Sequence, residues 1–303
     1  MQQFKEKLEA EERTGRCYRS NNPSCCQMIV IAKTSDPTKA RFIHDLPARN
    51  AQTILDRTPM PDQDAIHNAV ARAKYRSKID VSDAYNQIRI NPEHEKHAGF
   101  RPPWGVYNSR VMQQGDKNVP STMMKIMNHT FARLIGVSVH VYVDDIFIIS
   151  NSYEEHVKHV RKVLAILEKN KFTATEKKSA FMPETMEVLG SIVTKNGISA
   201  APEKIDMIQE LPIPHNWEAL QEFNGLVNYL GRFVPRLATL AAPLTELAGS
   251  TAIWEWRNLH TTAFNLIKQG IKGNAVVQPI NYQSQDPIYL VCDASAVGMG
   301  AWV

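Results

Sequence analysis

The stretch VSVHVYVDDIFIIS, residues 137–150, places two adjacent carboxylates, Asp144 and Asp145, within a run of β-branched and aromatic residues. Up to Val143 the valines alternate with more polar residues, which is the two-residue period of a β-strand. A single strand through all of these residues would be unusually long. We therefore expect two strands joined in a hairpin that turns at Asp144–Asp145.

The two carboxylates need a partner if the hairpin is buried, because an uncompensated buried charge is costly and neighbouring charges of one sign repel. A divalent cation meets both needs, and Mg²⁺ binds through one or two carboxylates together with substrate phosphates. The alternative is that Asp144 and Asp145 only form an exposed turn, since aspartate is common in turns.

A third carboxylate favours the metal site over the exposed turn. In KIDVSDAYNQIRI, residues 78–90, Asp80 ends a second apolar strand segment and is followed by Asp83. If this strand lies beside the hairpin, Asp80 faces Asp144. Three carboxylates on neighbouring strands predict a site for two metal ions, an arrangement that suits phosphoryl transfer.

Length and charge bound the number of domains and the class of partner. The 303 residues are enough for two or three domains, each with its own core. The net charge of +4 permits an anionic partner without demanding one. Seven Lys and Arg against two Glu lie between His156 and Ala180. This segment is either a phosphate-tracking surface or a solvated helix face.

Cysteine spacing and hydropathy exclude several classes of protein. The four cysteines lack the spacing of a zinc knuckle, and we interpret them as reduced thiols of an intracellular protein. No apolar run reaches the roughly 18 residues of a membrane span. The charged N-terminus does not have the pattern of a signal peptide. The sequence therefore predicts a protein with no membrane partner that is not secreted.

Elsewhere predicted helices and strands alternate. Predicted helices span residues 3–13, 61–73, 118–135, 157–167 and 217–234. Met123, Met127, Phe131 and Leu134 form one stripe, as do Val157, Val160, Leu164 and Leu167, and such stripes usually pack in a core. Predicted hairpins span 26–46, with a turn at 35–39, and 185–199, with a turn at Asn196-Gly197. The pattern predicts an α+β fold with a mostly helical C-terminal part.

Segments in order along the chain resemble motifs of reverse transcriptases from gypsy-type (Metaviridae) long-terminal-repeat retrotransposons. Tyr142-Val143-Asp144-Asp145 is similar to the family's Tyr-x-Asp-Asp box, and residues 79–90 resemble its first catalytic strand. Further similar segments are the fingers segment 39–50, the Gln-Gly…Pro loop and helix 113–128, the primer-grip hairpin 187–199, the thumb segments 202–214 and 220–235, and the ribonuclease H link and first strand at 252–271 and 288–303.

The resemblance runs from about residue 14 to the end of the chain and implies the right-hand polymerase fold. It implies fingers and palm over residues 1–195, a thumb over 196–248, and a connection with an incomplete ribonuclease H-like domain over 249–303. Asp293 resembles the first carboxylate of the ribonuclease H site, whose other ligands lie farther along the chain in the family. We therefore expect no ribonuclease H activity from this chain alone, which resembles an excerpt of a larger polyprotein.

The resemblance also implies a role for each matching residue. Asp80, Asp144 and Asp145 would be catalytic and would bind two Mg²⁺ ions, with Mn²⁺ as an alternative, and the carbonyl of Val81 would be a further ligand. Tyr85 would collide with a 2′-hydroxyl and so favour deoxynucleotides, unless it is only a core tyrosine.

Other matching positions would bind the nucleotide or the primer. The implied nucleotide-binding residues are Lys33, Arg41, Gln114 and Gly115, of which Lys33 and Arg41 are alternatively ordinary surface charges. The implied primer grip comprises Met186, Glu187, Val188, Leu189 and Gly190.

Departures from the family pattern are consistent with reduced polymerase activity. Many gypsy-type elements carry an aromatic or aliphatic residue after the loop glycine, whereas this chain has Asp116, whose charge we expect Lys117 to offset. The segment 95–107 departs from the usual Lys-Thr-Ala-Phe, and Asp45 lacks the arginine expected two residues later.

Two functions follow from the resemblance. The first is an RNA-directed DNA polymerase, a nucleotidyltransferase that extends a primer on an RNA or DNA template with deoxynucleoside triphosphates. It would work beside the rest of its polyprotein, in a cytoplasmic particle or the nucleus. The alternative is a degenerate retrotransposon remnant that binds nucleic acid without polymerising. A third reading is a free-standing polymerase that copies only DNA.

Overall fold

The computed structural model describes residues 2–33, 36–249, 253–273, 275–279, 287, 289, 291–295 and 298–302. The chain forms two compact units, Met1–Met186 and Glu187–Val303, and each is described by itself. The threefold division expected from the sequence stays a prediction.

The first unit combines helices with two sheets. Its described helices are α1 (Gln2–Arg13), α2 (Pro47–Gln52), α3 (Gln63–Arg72), α4 (Val119–Thr130) and α5 (Tyr153–Lys169). Its described strands are β1 (Cys17–Arg19), β2 (Cys25–Lys33), β3 (Asp36–His44), β4 (Tyr75–Asp80), β5 (Gly99–Arg101), β6 (Tyr107–Ser109), β7 (Val139–Tyr142), β8 (Asp145–Ser150) and β9 (Ala180–Phe181). Short 3-10 helices span Ala84–Gln87, Pro92–His97 and Glu176–Lys178.

The first sheet has the strand order β1-β6-β5-β2-β3 and contains the predicted hairpin of β2 with β3. The turn predicted at 35–39 is wrong, because Asp36 already pairs with Lys33 and residues 36–39 belong to β3. Pro37 is tolerated there since β3 is the edge strand, where one backbone donor can be missing. Leu8 of α1 is buried with Phe100 and Tyr107 in a cluster on this sheet.

The second sheet has the order β7-β8-β4-β9, and α4 and α5 contact it. Met123, Met127 and Phe131 are buried together with Ile79 and Ile146, so the predicted core stripe is confirmed. This packing gives the two central strands, β4 and β8, a fixed support, since close-packed cores leave little room for movement.

Two helix predictions need correction. Helix α4 ends at Thr130, so residues 131–134 of the predicted helix form turns after it and Ile135 forms an isolated bridge with Val139. On α5 the predicted stripe is confirmed at Leu167, which is buried, and at Val160, which packs partly buried against the core. Leu164 is wrong, because it is 41% exposed and the neighbouring Val163 is buried instead.

The second unit combines hairpins with helices. Its described strands are β10 (Met186–Val188), which begins on the last residue of the first unit, β11 (Ser191–Thr194), β12 (Gly197–Ala200), β13 (Val291–Ser295) and β14 (Gly298–Trp302). Its described helices are α6 (Pro202–Glu210), α7 (Trp217–Tyr229), α8 (Leu237–Leu247) and α9 (Asn258–Lys272), with a 3-10 helix over Gly231–Phe233. The helix predicted over 217–234 therefore ends five residues early, at Tyr229.

The hairpin predicted over 185–199 is a three-stranded sheet in the order β10-β11-β12. Its second turn lies one residue earlier than predicted, because Thr194 pairs with Gly197 and leaves Lys195–Asn196 between them. Gly197 has φ +127°, a backbone conformation that glycine adopts readily. The predicted α+β class is confirmed, and no helix in the described residues is both long and apolar enough to cross a membrane.

Candidate active site

The central strands of the second sheet bring the predicted carboxylates together. Asp80, the last residue of β4, pairs in register with Asp145, the first residue of β8. Residues directly opposite each other on antiparallel strands project from the same face of the sheet. Asp144 lies beside them, since the Val81 N–H donates to the Asp144 carbonyl oxygen at 3.0 Å. Asp80 thus faces Asp145 rather than Asp144, because the turn lies one residue earlier than predicted.

The hairpin turn is short and its backbone is strained. Tyr142 pairs with Asp145, so Val143 and Asp144 alone form the turn between β7 and β8. Val143 has φ +56°, which is rare for a β-branched residue and costs of order 1–3 kcal/mol. Its side chain is buried and its N–H donates to Met124 Sδ at 3.1 Å, so surrounding contacts hold the turn. The turn presents Asp144 to solvent from a fixed backbone.

The carboxylates differ in exposure and influence one another electrostatically. Asp80 is buried, Asp144 is exposed and Asp145 is intermediate. Burial raises the pKa of Asp145 above its ordinary value, the hydrogen bond and charge of Lys78 oppose this rise, and the charges of Asp144 and Asp80 add to it. The three groups therefore act as one anionic cluster.

Two lysines contact this cluster: Lys78, which the sequence analysis missed, and Lys178, which it assigned only to the basic segment. Lys78 Nζ lies 2.9 Å from both carboxylate oxygens of Asp145. Lys178 Nζ lies 3.5 Å from Asp80 Oδ2, at the end of a largely exposed side chain. Lys78 stands two residues before Asp80, so its position on the same strand face could have been read from the two-residue period.

The carboxylates at this site are compatible with a divalent metal ion whose remaining ligands come from the substrate. Within the residues that the structure describes, no group of three or more His, Cys, Asp and Glu side chains is arranged to hold one metal ion. Both oxygens of the Asp145 carboxylate face the ammonium group of Lys78. Mg²⁺ needs only one or two protein carboxylates when phosphates fill the remaining positions. Asp80 and Asp145, with Asp144 beside them, fit such a site.

Tyr85 lies close to the carboxylates. It belongs to the 3-10 helix Ala84–Gln87 that follows β4, and it packs partly buried against the core of the second sheet. Burial raises the pKa of its phenol, and the charge of Asp144 and then Tyr142 raise it further. This position is compatible both with a sugar contact and with a core tyrosine.

The predicted loop residues lie on a constrained backbone. Gly115 has φ +101°, and an added Cβ would lie 3.4 Å from Leu46 Cδ1, so this position favours glycine. Gln114 is exposed and borders a cavity of about 170 Å³ that Asp83 and Asn86 also line. Within the first unit, the loop therefore approaches the segment that follows Asp80.

The charge of Asp116 is balanced by a residue other than the one predicted. Arg49 Nη2 lies 2.9 Å from Asp116 Oδ1. Lys117 Nζ instead donates to the carbonyl oxygens of Asn50, at 3.2 Å, and Thr53, at 3.1 Å. Lys117 therefore binds backbone carbonyl oxygens at α2. The ion-pair partner of Asp116 is Arg49, which the sequence analysis did not single out.

The remaining predicted residues lie on other elements. Lys33 and Arg41 belong to β2 and β3, and Asp293 belongs to β13, but their side chains lie outside the part of the structure that is described. The predicted primer-grip residues form β10 and the turn after it, in which Leu189 and Gly190 both have positive φ. Met186 and Val188 are buried and Glu187 is exposed.

Comparison with known families finds one match, described as "Reverse transcriptase (RNA-dependent DNA polymerase)", over residues 31–193. This stretch is more than half of the chain and includes Asp80, Asp144, Asp145, Tyr85 and Gln114.

Curated relatives are polyproteins of transposons. The Pol polyprotein from transposon opus of Drosophila melanogaster is 32% identical over 75% of this chain and 23% of its own length. That from transposon 297 of the same organism is 30% identical over 95% of this chain and 27% of its own length. The Tf2-3 polyprotein of Schizosaccharomyces pombe is 28% identical over 99% of this chain and 22% of its own length. The chain thus spans about a quarter of each relative.

Solved structures share the fold. The foamy viral protease-reverse transcriptase in complex with double-stranded DNA superposes with a TM-score of 0.85, at 23% identity, over 96% of this chain and 60% of that chain. A related structure, denoted dRH and also with double-stranded DNA, gives 0.84 at 24% identity, over 94% and 50%.

Proposed function

The chain belongs to the reverse transcriptase family, and from this premise we propose that it is an RNA-directed DNA polymerase. It extends the 3′-hydroxyl of a primer with deoxynucleoside triphosphates on an RNA template. A DNA template would serve in the same way once the first strand is made. Its natural setting would be a whole polyprotein. The relatives from transposons 297 and Tf2-3 are about four times as long as this chain.

The observation that carries this proposal is the register of β4 with β8. It pairs Asp80 with Asp145 on one face of the sheet and leaves Asp144 at the neighbouring turn. Carboxylates on adjacent strands that share a rigid support are what a metal-dependent phosphoryl-transfer site requires.

In the proposed reaction Asp80, Asp144 and Asp145 would hold two divalent ions, Mg²⁺ or alternatively Mn²⁺. Bound ions of this kind lower the pKa of an attacking hydroxyl and stabilise the charge on a leaving phosphate oxygen. The strained turn at Val143 keeps the Asp144 backbone fixed, and the N–H of Val81 ties it to β4. We also propose the Val81 carbonyl as a ligand, since it directly follows Asp80.

Five residues would contact the incoming nucleotide. Tyr85 lies near Asp144, where its ring would collide with a 2′-hydroxyl and select deoxynucleotides. Gln114 and Gly115 would contact the nucleotide from the loop. Lys33 and Arg41 would hold its phosphates, because guanidinium and ammonium groups bind phosphate oxygens.

Primer extension tests the proposal. The purified chain is given an RNA template with an annealed DNA primer, the four deoxynucleoside triphosphates and Mg²⁺. We expect extension that disappears in Asp144→Asn, a change that keeps the side-chain shape and removes the charge. Asp206→Asn, which makes the same change on an exposed position of α6, is the control and should extend normally.

Other outcomes point to the alternatives. Retained, salt-sensitive binding of the primer–template without extension would contradict the proposal and favour a degenerate remnant that only binds nucleic acid. Extension on a DNA template with none on RNA would indicate a DNA-templated polymerase.

A further inference from the structure

Two residues of helix α2 bind the loop Gln113–Lys117, which carries the predicted nucleotide contacts. Arg49 Nη2 donates to Gln113 Oε1 at 2.7 Å and pairs with Asp116 at 2.9 Å, and its Nη1 donates to the His97 carbonyl oxygen at 2.6 Å. A single side chain therefore joins both ends of the segment Gln113–Asp116, with Gln114 and Gly115 between them.

Asn50, the next residue of α2, also forms hydrogen bonds to this loop. Its Nδ2 donates to the Gly115 carbonyl oxygen at 2.9 Å, and its Oδ1 accepts from the Lys117 N–H at 2.9 Å. Every residue of the loop from Gln113 to Lys117, except Gln114, thus has a hydrogen bond or ion pair to Arg49 or Asn50.

The Arg49–Asp116 pair lies where its electrostatic effect is strong. The two side chains are 22% and 26% exposed, so solvent screens them less than an ordinary surface pair. Burial raises the pKa of Asp116 above its ordinary value, and the charge and hydrogen bond of Arg49 oppose this rise, so the pair offsets part of the cost of placing a carboxylate here.

We propose that the Arg49–Asp116 ion pair positions the loop Gln113–Lys117 and thereby sets the affinity for the incoming deoxynucleoside triphosphate. This inference rests on the proposed function. Arg49 and Asp116 are positioning residues, because they act through Gln114 and Gly115. Arg49 also cancels the negative charge of Asp116, which would otherwise repel a triphosphate bound at the loop.

Arg49→Met tests the proposal, because methionine keeps much of the apolar stem and removes every donor. We expect the KM for deoxynucleoside triphosphates to rise roughly tenfold, a change of about 1.4 kcal/mol, because the variant loses a hydrogen-bonded charge that holds the loop. The kcat should stay within about twofold. Nucleotide binding to a complex with a dideoxy-terminated primer should weaken by the same factor, without any chemistry.

A double-mutant cycle shows whether the two residues act as a pair. Asp116→Leu should also raise the KM, and the double variant Arg49→Met/Asp116→Leu should be no worse than the poorer single variant. Effects that multiply in the double variant would overturn the proposal, because independent residues add in free energy.

A second ion pair provides the matched control. Lys125 Nζ lies 2.6 Å from Asp56 Oδ2 in the same unit and touches no residue of the Gln113–Lys117 loop in the described contacts. Lys125→Met should leave the KM unchanged. If Arg49→Met lowers the melting temperature but leaves the KM at the level of Lys125→Met, the pair is merely structural and the proposal fails.

Hydrogen exchange separates this proposal from the proposed function. The Lys117 amide donates to Asn50 and should exchange faster in Arg49→Met, whether or not the chain polymerises. Unchanged exchange would overturn the positioning role. A wild-type chain without primer extension would overturn the function while leaving this readout intact.

Discussion

Lys78 balances the charge of the carboxylate cluster at the scale of single residues. Its ammonium contacts both oxygens of Asp145, and its side chain is only 20% exposed. Its ammonium also lies 5.7 Å from the centroid of the Phe147 ring, so it is part of the strand face rather than a free surface lysine. A metal ion that binds Asp145 must displace this lysine or share the carboxylate with it.

Removing the Lys78 charge should strengthen metal binding. In Lys78→Met we expect the dissociation constant for Mn²⁺, measured by electron paramagnetic resonance of the free ion, to fall roughly tenfold, because about 1.5–3 kcal/mol of charged hydrogen bonding no longer competes. Lys74→Met, on the exposed residue before β4, is the control. Unchanged or weaker Mn²⁺ binding in Lys78→Met would show that the lysine does not compete with metal.

His44 should make stability depend on pH. Burial, and then the charge of Arg49, lower its pKa from 6.5 to about 4. The unfolded chain therefore binds more protons between those two values, so stability falls as pH drops through this window. Between pH 7 and 5 we expect a loss of about 1–2 kcal/mol from this group.

His44→Phe provides the comparison, because a phenyl ring can keep the edge contact with Phe100, whose centroid lies 5.2 Å from that of His44. Denaturant unfolding at both pH values should show a smaller loss in the variant. Equal losses in the two proteins would contradict the low pKa of His44.

The sequence was sufficient to predict that the three aspartates lie close together, because charges that interrupt an apolar two-residue pattern stand out. It was not sufficient for Arg49 and Asp116, which are far apart along the chain and meet only through the placement of α2 beside the loop. Pairing of this kind depends on tertiary structure, and neither residue breaks a local pattern.

Tyr229 links two elements of the second unit. It lies at the end of α7, and its hydroxyl donates to the Leu189 carbonyl oxygen at 2.9 Å in the turn after β10. A Cβ on Gly190 would collide with the same hydroxyl, so the turn approaches Tyr229 closely. Because this turn is the predicted primer grip, α7 should control its position.

Tyr229→Phe should weaken primer binding. It removes one hydroxyl, a loss of about 1 kcal/mol, so we expect the dissociation constant for primer–template to rise about fivefold by fluorescence anisotropy. Tyr153→Phe removes the same atom from an exposed ring on α5 and serves as the control. Equal affinities for the two variants would argue that Tyr229 does not position the turn.

Elements were easier to predict than the turns that join them. Alternation and turn residues predicted each hairpin, yet two turns lie one residue earlier than expected. At β7–β8 the reason is the positive φ of Val143, which propensity disfavours and which tertiary packing imposes. At β11–β12 the pairing of Thr194 with Gly197 makes the glycine the first strand residue instead of part of the turn.

A basic segment dominates the charge distribution of the molecule as a whole. All seven Lys and Arg between His156 and Ala180 are exposed, and one of them, Lys178, also contacts Asp80 at 3.5 Å. The structure is equally compatible with a solvated helix face and with a phosphate-tracking surface. Salt dependence distinguishes the two, since each phosphate contact releases counterions.

Neutralising three of these cations should flatten the salt dependence of nucleic-acid binding. For Lys158→Gln, Arg161→Gln and Lys162→Gln combined on α5, the slope of log affinity against log salt should decrease by about 2 to 3 if each residue contacts a phosphate. The same change at Lys5, Lys74 and Lys96 is the control. Equal slopes for the two triple variants would leave the segment as a solvated face.

The central claim is that Asp80, Asp144 and Asp145 jointly hold metal ions at the end of β4 and at the β7–β8 turn. Anomalous X-ray diffraction from crystals of the chain with primer–template, an incoming nucleotide and Mn²⁺ tests it most directly. The account predicts two Mn²⁺ peaks about 3.5–4 Å apart, both contacting these carboxylates. Nucleotide bound with no peak beside Asp80, or with Asp145 still paired only to Lys78, would contradict it.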